Sequence, residues 1–126
     1  MKTRRSLLLL GSLFGFFAVA LGAFGAHALK AVLPPEMLAV FETGVRYQFY
    51  HTGAILLCAV LADRMPSAAT AGRFFGLGIL LFSGSLYTMA VTGIRPLGMV
   101  TPFGGLCFLI GWGMLGWGAY RMERSV

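Results

Sequence analysis

Apolar residues dominate this chain in four long runs, and polar residues gather at the breaks between them. The runs cover roughly 6–28, 43–62, 74–93 and 102–120. Each is near the length, about 20 residues, that a helix needs to cross about 30 Å of hydrocarbon. Open sheet is excluded in that setting, because unpaired backbone groups in lipid cost several kcal/mol each. The breaks are "KAVLPPEM", "DRMPSAATAGR" and "IRPLGMVTP". Pro34 and Pro35 suit the start of a helix and not its interior. Thr101 is placed to cap the fourth run, with Pro102 at its first helical position. The pattern predicts an all-α integral membrane four-helix bundle, with residues 1–126 as a single membrane domain.

Ahead of the second run, "EMLAVFETGVR" at 36–46 sets Met37, Leu38, Val40, Phe41 and Val45 against Glu36, Glu42 and Arg46. This near-helical alternation predicts a short interfacial helix leading into the second span. Glu42 and Arg46 stand at i,i+4 in the favourable order.

Small residues mark the packing faces. Gly11, Gly15, Ala18, Gly22 and Gly25 fall at spacings of 4, 3, 4 and 3, so they share one face of the first helix. Gly84, and then Cys107, Gly111 and Gly118 in the fourth run, are expected to serve the same purpose. Close approach matters in lipid, where the hydrophobic effect does not drive helices together. The first seam is expected to meet the fourth span or a second copy of the chain.

Polar residues are few and placed with purpose. On a helix at about 100° per residue, Gly44, Tyr47, Gln48 and His51 share a face, and Arg46 lies about 160° from Gln48. Arg46 and Tyr50 then suit the membrane–water boundary as anchors. Tyr47, Gln48 and His51 are expected to face the bundle interior. Ser83 and Tyr87 share a face of the third run. The expectation is a buried hydrogen-bonded network of Tyr47, Gln48, His51, Ser83 and Tyr87, with His27 and Thr101 also in the outer half of the membrane and Ser85 nearer mid-depth. His27 sits roughly opposite its helix's own small-residue seam, which leaves its membership open.

Composition narrows function further. Hydrophobic residues make up 58% and charged residues 11%, against about 25% charged in a soluble domain. The net charge of +6 is scattered between apolar runs and forms no basic face, so nucleic acid is not an expected partner; membrane lipids are. Lys2, Arg4, Arg5, Arg64, Arg73, Arg121 and Arg124 fall on one side of the four spans, and Lys30, Arg46 and Arg95 on the other. That bias predicts both termini in the cytoplasm. A second reading takes "MKTRRSLL" with "AVA" at 18–20 as a cleavable leader. The apolar run continues to Ala28 and carries a seam that a discarded peptide would not need, which favours retention.

Four motifs together resemble one family: "LGAFGAH" at 21–27, "TG" and "YQ" with His51 at 43–51, "LFSGSLY" at 81–87 and "TPFGG" at 101–105. They look like the YgdD/YwdK-type small bacterial inner-membrane proteins, a family of unknown function. The resemblance covers roughly residues 15–120 and implies a four-helix membrane protein without an established activity. Its pattern includes His27 and does not require arginine at 46.

Catalysis has little support. Only Glu36, Glu42, Asp63 and Glu123 carry carboxylates, with no pair at depth for acid–base work. Two histidines lack companion ligands for a metal. Cys58 and Cys107 are expected near opposite faces, with no disulfide between them. No cofactor and no enzymatic activity are expected. The favoured expectation is a structural or accessory membrane component, with a proton or small-solute transporter and a lipid- or quinone-headgroup binder as alternatives. A homo-oligomer or a membrane-protein partner is also expected on the glycine faces.

Overall fold

The computed structural model describes residues 2–124, the side chains of 123 and 124 excepted. Glu123 and Arg124, counted above, thus lie outside the described side chains. Helices α1 (Lys2–His27), α2 (Pro35–Leu61), α3 (Pro66–Gly78), α4 (Gly84–Thr92) and α5 (Thr101–Arg124) make up nearly all of it. A π-helical turn, Ile79–Ser83, joins α3 to α4 as one rod, and 3₁₀ turns at Leu29–Ala31 and Arg95–Met99 complete the connections. No strand occurs among the described residues. Three helical stretches are long and apolar enough to cross a membrane: Lys2–Ala31, Pro66–Thr92 and Arg95–Met122. The rod of α2 is not among them.

Local chemistry explains the boundaries. Pro35 and Pro66 each occupy the first turn of their helix, where a missing N–H costs nothing. The turn between α2 and α3 is tight, with the Met65 and Arg64 amides donating to the Leu61 carbonyl at 2.8 and 3.0 Å. So the segment "PSAATAGR", expected to be a connection, is helical; Ala68, Ala71 and Gly72 bury against the core. Gly93 ends α4 in the left-handed region (φ 73°), its amide donating to the Met89 carbonyl at 2.8 Å, a conformation that favours glycine.

Two ion pairs show which helix ends lie together. Arg4 Nη1 meets Asp63 Oδ2 at 3.4 Å, joining the start of α1 to the end of α2. At the opposite end Arg95 Nη1 meets Glu36 Oε1 at 3.0 Å, joining the α4–α5 connection to the start of α2. Met65 and Ser67 pack on Gly118, which brings the last turns of α5 to the Arg4–Asp63 end. The four rods therefore run up, down, up and down.

Helix α2 is the centre of the assembly. Ile55, Cys58 and Ala59 pack with Leu7, Ala68, Ala71, Phe75, Ile79 and Phe108 in one core. Met37, Phe41 and Val45 pack with Leu29 and Ala90 in a second. This corrects the separate interfacial helix: residues 36–46 are the first turns of one continuous α2, and their apolar stripe meets protein. The seam on α1 also finds α2. A Cβ at Gly11 would fall 2.6 Å from Leu56 Cδ2, one at Gly15 3.3 Å from Thr52 Cγ2, and one at Gly25 2.9 Å from the Phe41 ring. Gly22 meets Val45 and Ala18 is fully buried. The seam is thus covered within the chain, by α2, and not by the fourth span or a second copy. Large apolar side chains point outward instead, among them Leu9, Phe16, Phe103 and Leu109 at 60–70% exposure. Such a surface suits hydrocarbon and not water.

Candidate functional site: a polar belt across the helices

Gln48 is the hub of the buried polar groups, at 3% exposure. Its Nε2 donates to the Phe14 carbonyl of α1 at 2.7 Å, and its Oε1 accepts from the Tyr87 hydroxyl of α4 at 2.6 Å. A carbonyl can only accept, so Phe14 fixes which end of the amide faces which helix. Beside it, the Ser83 hydroxyl donates to the Gly44 carbonyl at 2.7 Å. Gly44 is needed there, since a Cβ would fall 2.8 Å from the Tyr87 ring. Ser83 closes the π-helical turn, and π turns insert a residue that re-aims the side chains around them. The sequence pattern gave no sign of that turn.

His51 belongs to a second group, facing α5. Its Nδ1 lies 2.8 Å from the Tyr47 carbonyl, and its Nε2 lies 3.1 Å from Trp112 Nε1. The carbonyl only accepts and the indole only donates, so the hydrogen sits on Nδ1 and the lone pair on Nε2. Both ring nitrogens of a neutral imidazole are thereby used. The ring also lies flat on Phe108, with centroids 3.5 Å apart and planes 5° apart. Trp112 escaped the sequence reading, although a tryptophan between two glycines in an apolar run has an N–H that needs a partner.

Ser85 and Thr101 form a third link. Their hydroxyls are 2.6 Å apart, and Ser85 also donates to the Phe82 carbonyl at 2.9 Å. With that hydrogen spent, Thr101 is the donor between them. Its hydroxyl ties α5 to α4, a different task from the capping expected of it.

The expected residues are therefore brought together only in part. Gln48, Tyr87 and Ser83 meet where α2 faces α1 and α4, and His51 faces α5 instead. Tyr47 contributes its carbonyl, while its ring packs on Phe82 with centroids 4.6 Å apart. Tyr47, His51, Phe82, Phe108, Leu109 and Trp112 border a groove of about 580 Å³ on the flank of the bundle. His27 is exposed and takes no hydrogen bond among the described residues, because α2 covers the opposite face of α1. Arg46 is exposed and donates to Thr43 Oγ1 at 3.1 Å; Tyr50 is 58% exposed. Thr52, one turn beyond Gln48, is a buried hydroxyl without a partner. It too escaped the sequence reading.

Glycines divide the same way. Gly111 takes the Phe75 ring, 2.6 Å from where its Cβ would stand, and Gly118 takes Met65. Gly104 meets the backbone of Phe82. Gly84 faces open space, with nothing within 4 Å of a Cβ, so its expected packing role is absent. Cys58 and Cys107 are buried free thiols. Outside the spans, the Glu36 carboxyl is held below the ordinary range, first by the Arg95 hydrogen bond and then by its charge.

Residues 21–105 match the family described as "Protein of unknown function (DUF423)". The chain belongs to this family. The DUF423 match takes in Gln48, His51, Ser83, Ser85, Tyr87 and Thr101, and stops short of Trp112. Similar to the chain are the UPF0382 membrane protein YwdK of Bacillus subtilis, 46% identical over 111 residues (86% of this chain, 90% of the relative), and the UPF0382 inner membrane protein YgdD of Escherichia coli K12, 43% identical over 125 residues (98% and 95%). A UPF0382 membrane protein of Haemophilus influenzae is 44% identical over 117 residues (92% and 94%). No solved structure matches. The chain is a small all-helical membrane protein of a family of unknown function, as the motifs in the sequence implied.

Proposed function

We propose that this DUF423 chain is a structural or accessory component of the bacterial inner membrane, a bundle of four crossings with both termini in the cytoplasm. Its polar belt fixes the register of the helices and has no catalytic part. The observation that carries this reading is the saturation of His51. Tyr47 and Trp112 occupy both of its nitrogens, which leaves neither for a proton, a ligand or a nucleophile. Gln48, Ser83 and Thr101 likewise donate to neighbouring helices, and Ser85 accepts from Thr101.

A crossing by α2 is supported by its course between the two ion-paired ends of the bundle. Its 27 residues reach about 40 Å, beyond the roughly 30 Å of hydrocarbon. Low hydropathy is no barrier to a central helix whose Gln48, His51 and Thr52 are turned from lipid. Cytoplasmic termini are supported by the excess of Lys and Arg at the end holding Arg4, Arg64, Arg73 and Arg121. Arg46 and Tyr50 then anchor α2 at the outer boundary.

The test is His51→Ala in detergent-solubilised protein. It removes the Trp112 bond and the Phe108 stack, and is expected to lower unfolding free energy by about 1–2 kcal/mol. Undiminished stability, or proton flux in liposomes that disappears with the substitution, would overturn the proposal.

A further inference from the structure

One cleft at the arginine-bearing end has no part in the polar belt. It lies between α1 and α3, holds about 260 Å³, and is lined by Lys2, Thr3, Ser6, Leu7, Leu10 and Arg73. That volume has room for roughly eight waters. Two glycines draw the helices together beneath it: a Cβ at Gly72 would fall 2.8 Å from Leu7 Cδ2, and one at Gly76 would fall 2.9 Å from Leu10 Cδ2. The result is a cationic rim above an apolar floor.

Charge at this rim is unbalanced. Lys2 and Arg73 have no ion pair among the described residues, while Asp63, the carboxylate described at this end, meets Arg4. Two cations that share a small cleft repel one another unless an anion lies between them. Thr3 and Ser6 add hydroxyl donors at the same rim. The opposite end differs, because there Arg95 is matched by Glu36.

We infer that this cleft is a binding site for an anionic phospholipid. Its phosphodiester sits between Lys2 and Arg73 with Thr3 and Ser6 as further donors, and the start of an acyl chain lies on Leu10. A phosphate is the group that both a point charge and a planar guanidinium recognise. The source is lipid and not soluble phosphate because the floor is leucine and the rim stands where the helices leave the bilayer. Basic clefts between helix ends on that side of a membrane recognise anionic headgroups.

The experiment is native mass spectrometry of the full chain, released from nanodiscs of equal parts phosphatidylglycerol and phosphatidylcholine. Wild type is expected to retain phosphatidylglycerol in preference. A Lys2→Gln/Arg73→Gln variant is expected to lose at least ten-fold of that preference. Arg5→Gln/Arg64→Gln removes the same charge from the same end outside the cleft and is expected to keep it. Helical circular dichroism identical to wild type shows that each variant is folded, and Lys2→Arg/Arg73→Lys, which keeps both charges, is the fallback comparison and is expected to retain the preference. Equal losses in both glutamine pairs would reduce the effect to net charge and overturn the site. Release of the lipid by millimolar inorganic phosphate would overturn the lipid assignment.

Discussion

Gln48→Leu is the sharpest perturbation of the belt, because one substitution cuts two helix–helix links. The leucine keeps most of the side-chain volume and removes the donor to Phe14 and the acceptor for Tyr87. Interhelical hydrogen bonds in membrane proteins average about 0.6 kcal/mol each and reach about 1.7. The half-buried Tyr87 hydroxyl is also left without its acceptor, and an orphaned polar group costs about 1–3 kcal/mol. Phe14 suffers less, since its carbonyl remains within α1. The expected loss is about 2 kcal/mol. Adding Tyr87→Phe removes the orphan, so the double variant is expected to regain about 1 kcal/mol relative to Gln48→Leu. Reversible denaturant titration in micelles, followed by helical circular dichroism, measures both steps. If Gln48→Leu matches wild type, or if Tyr87→Phe deepens the loss, the belt does not hold the helices in the way described.

Two glycine substitutions should separate packing from decoration. Gly104→Ala drives a methyl into the Phe82 backbone, which cannot swing aside, and is expected to cost about 1–3 kcal/mol; Gly84→Ala meets open space and is expected to be neutral or to stabilise by up to about 1 kcal/mol. Thermal unfolding in detergent checks both, and equal effects would refute the assignment of close contacts. The Glu36 carboxyl titrates below the ordinary range because of Arg95, so the pair's contribution is full above the usual carboxylate pKa of about 4.3 and fades as pH falls through the lowered value. The stability gap between wild type and Glu36→Gln should therefore close on acidification below about pH 4, and a gap that widens there would contradict the pairing.

What the sequence disclosed follows from what kind of interaction each residue makes. The helices and where they end were legible because apolar run length acts locally, whereas α2 and α3 begin at Pro35 and Pro66, about eight residues ahead of their apolar runs, because buried small and apolar residues there pack on protein. That Gln48 would meet Tyr87 was legible because a polar side chain in an apolar helix must turn inward. The Phe14 carbonyl was not, since any backbone group can serve as acceptor and none announces itself. Nor was the partner of the α1 seam: Gly11, Gly15 and Gly25 specify that something approaches closely, and only the fold says that it is Leu56, Thr52 and Phe41. His51 is buried as its place in an apolar helix requires, yet it stands apart from Gln48, because a wheel drawn on one helix cannot say which neighbour lies at each angle. The wheel places them on a common face, along which Gln48 meets α1 and α4 while His51 meets α5. Residues 36–46 suggest an interfacial helix for a similar reason, although Met37, Phe41 and Val45 meet protein: an apolar stripe looks the same whether hydrocarbon or protein covers it.

A bundle of four crossings depends most on α2, the central helix and the one outside the three long apolar stretches, passing through the bilayer. Labelling with a membrane-impermeant thiol reagent in spheroplasts tests this directly, in a Cys58→Ala/Cys107→Ala background carrying either Pro34→Cys or Arg64→Cys. The account predicts that position 34 reacts from outside and position 64 reacts only after permeabilisation. Reaction of both from the same side would mean that α2 does not cross, and would contradict the account.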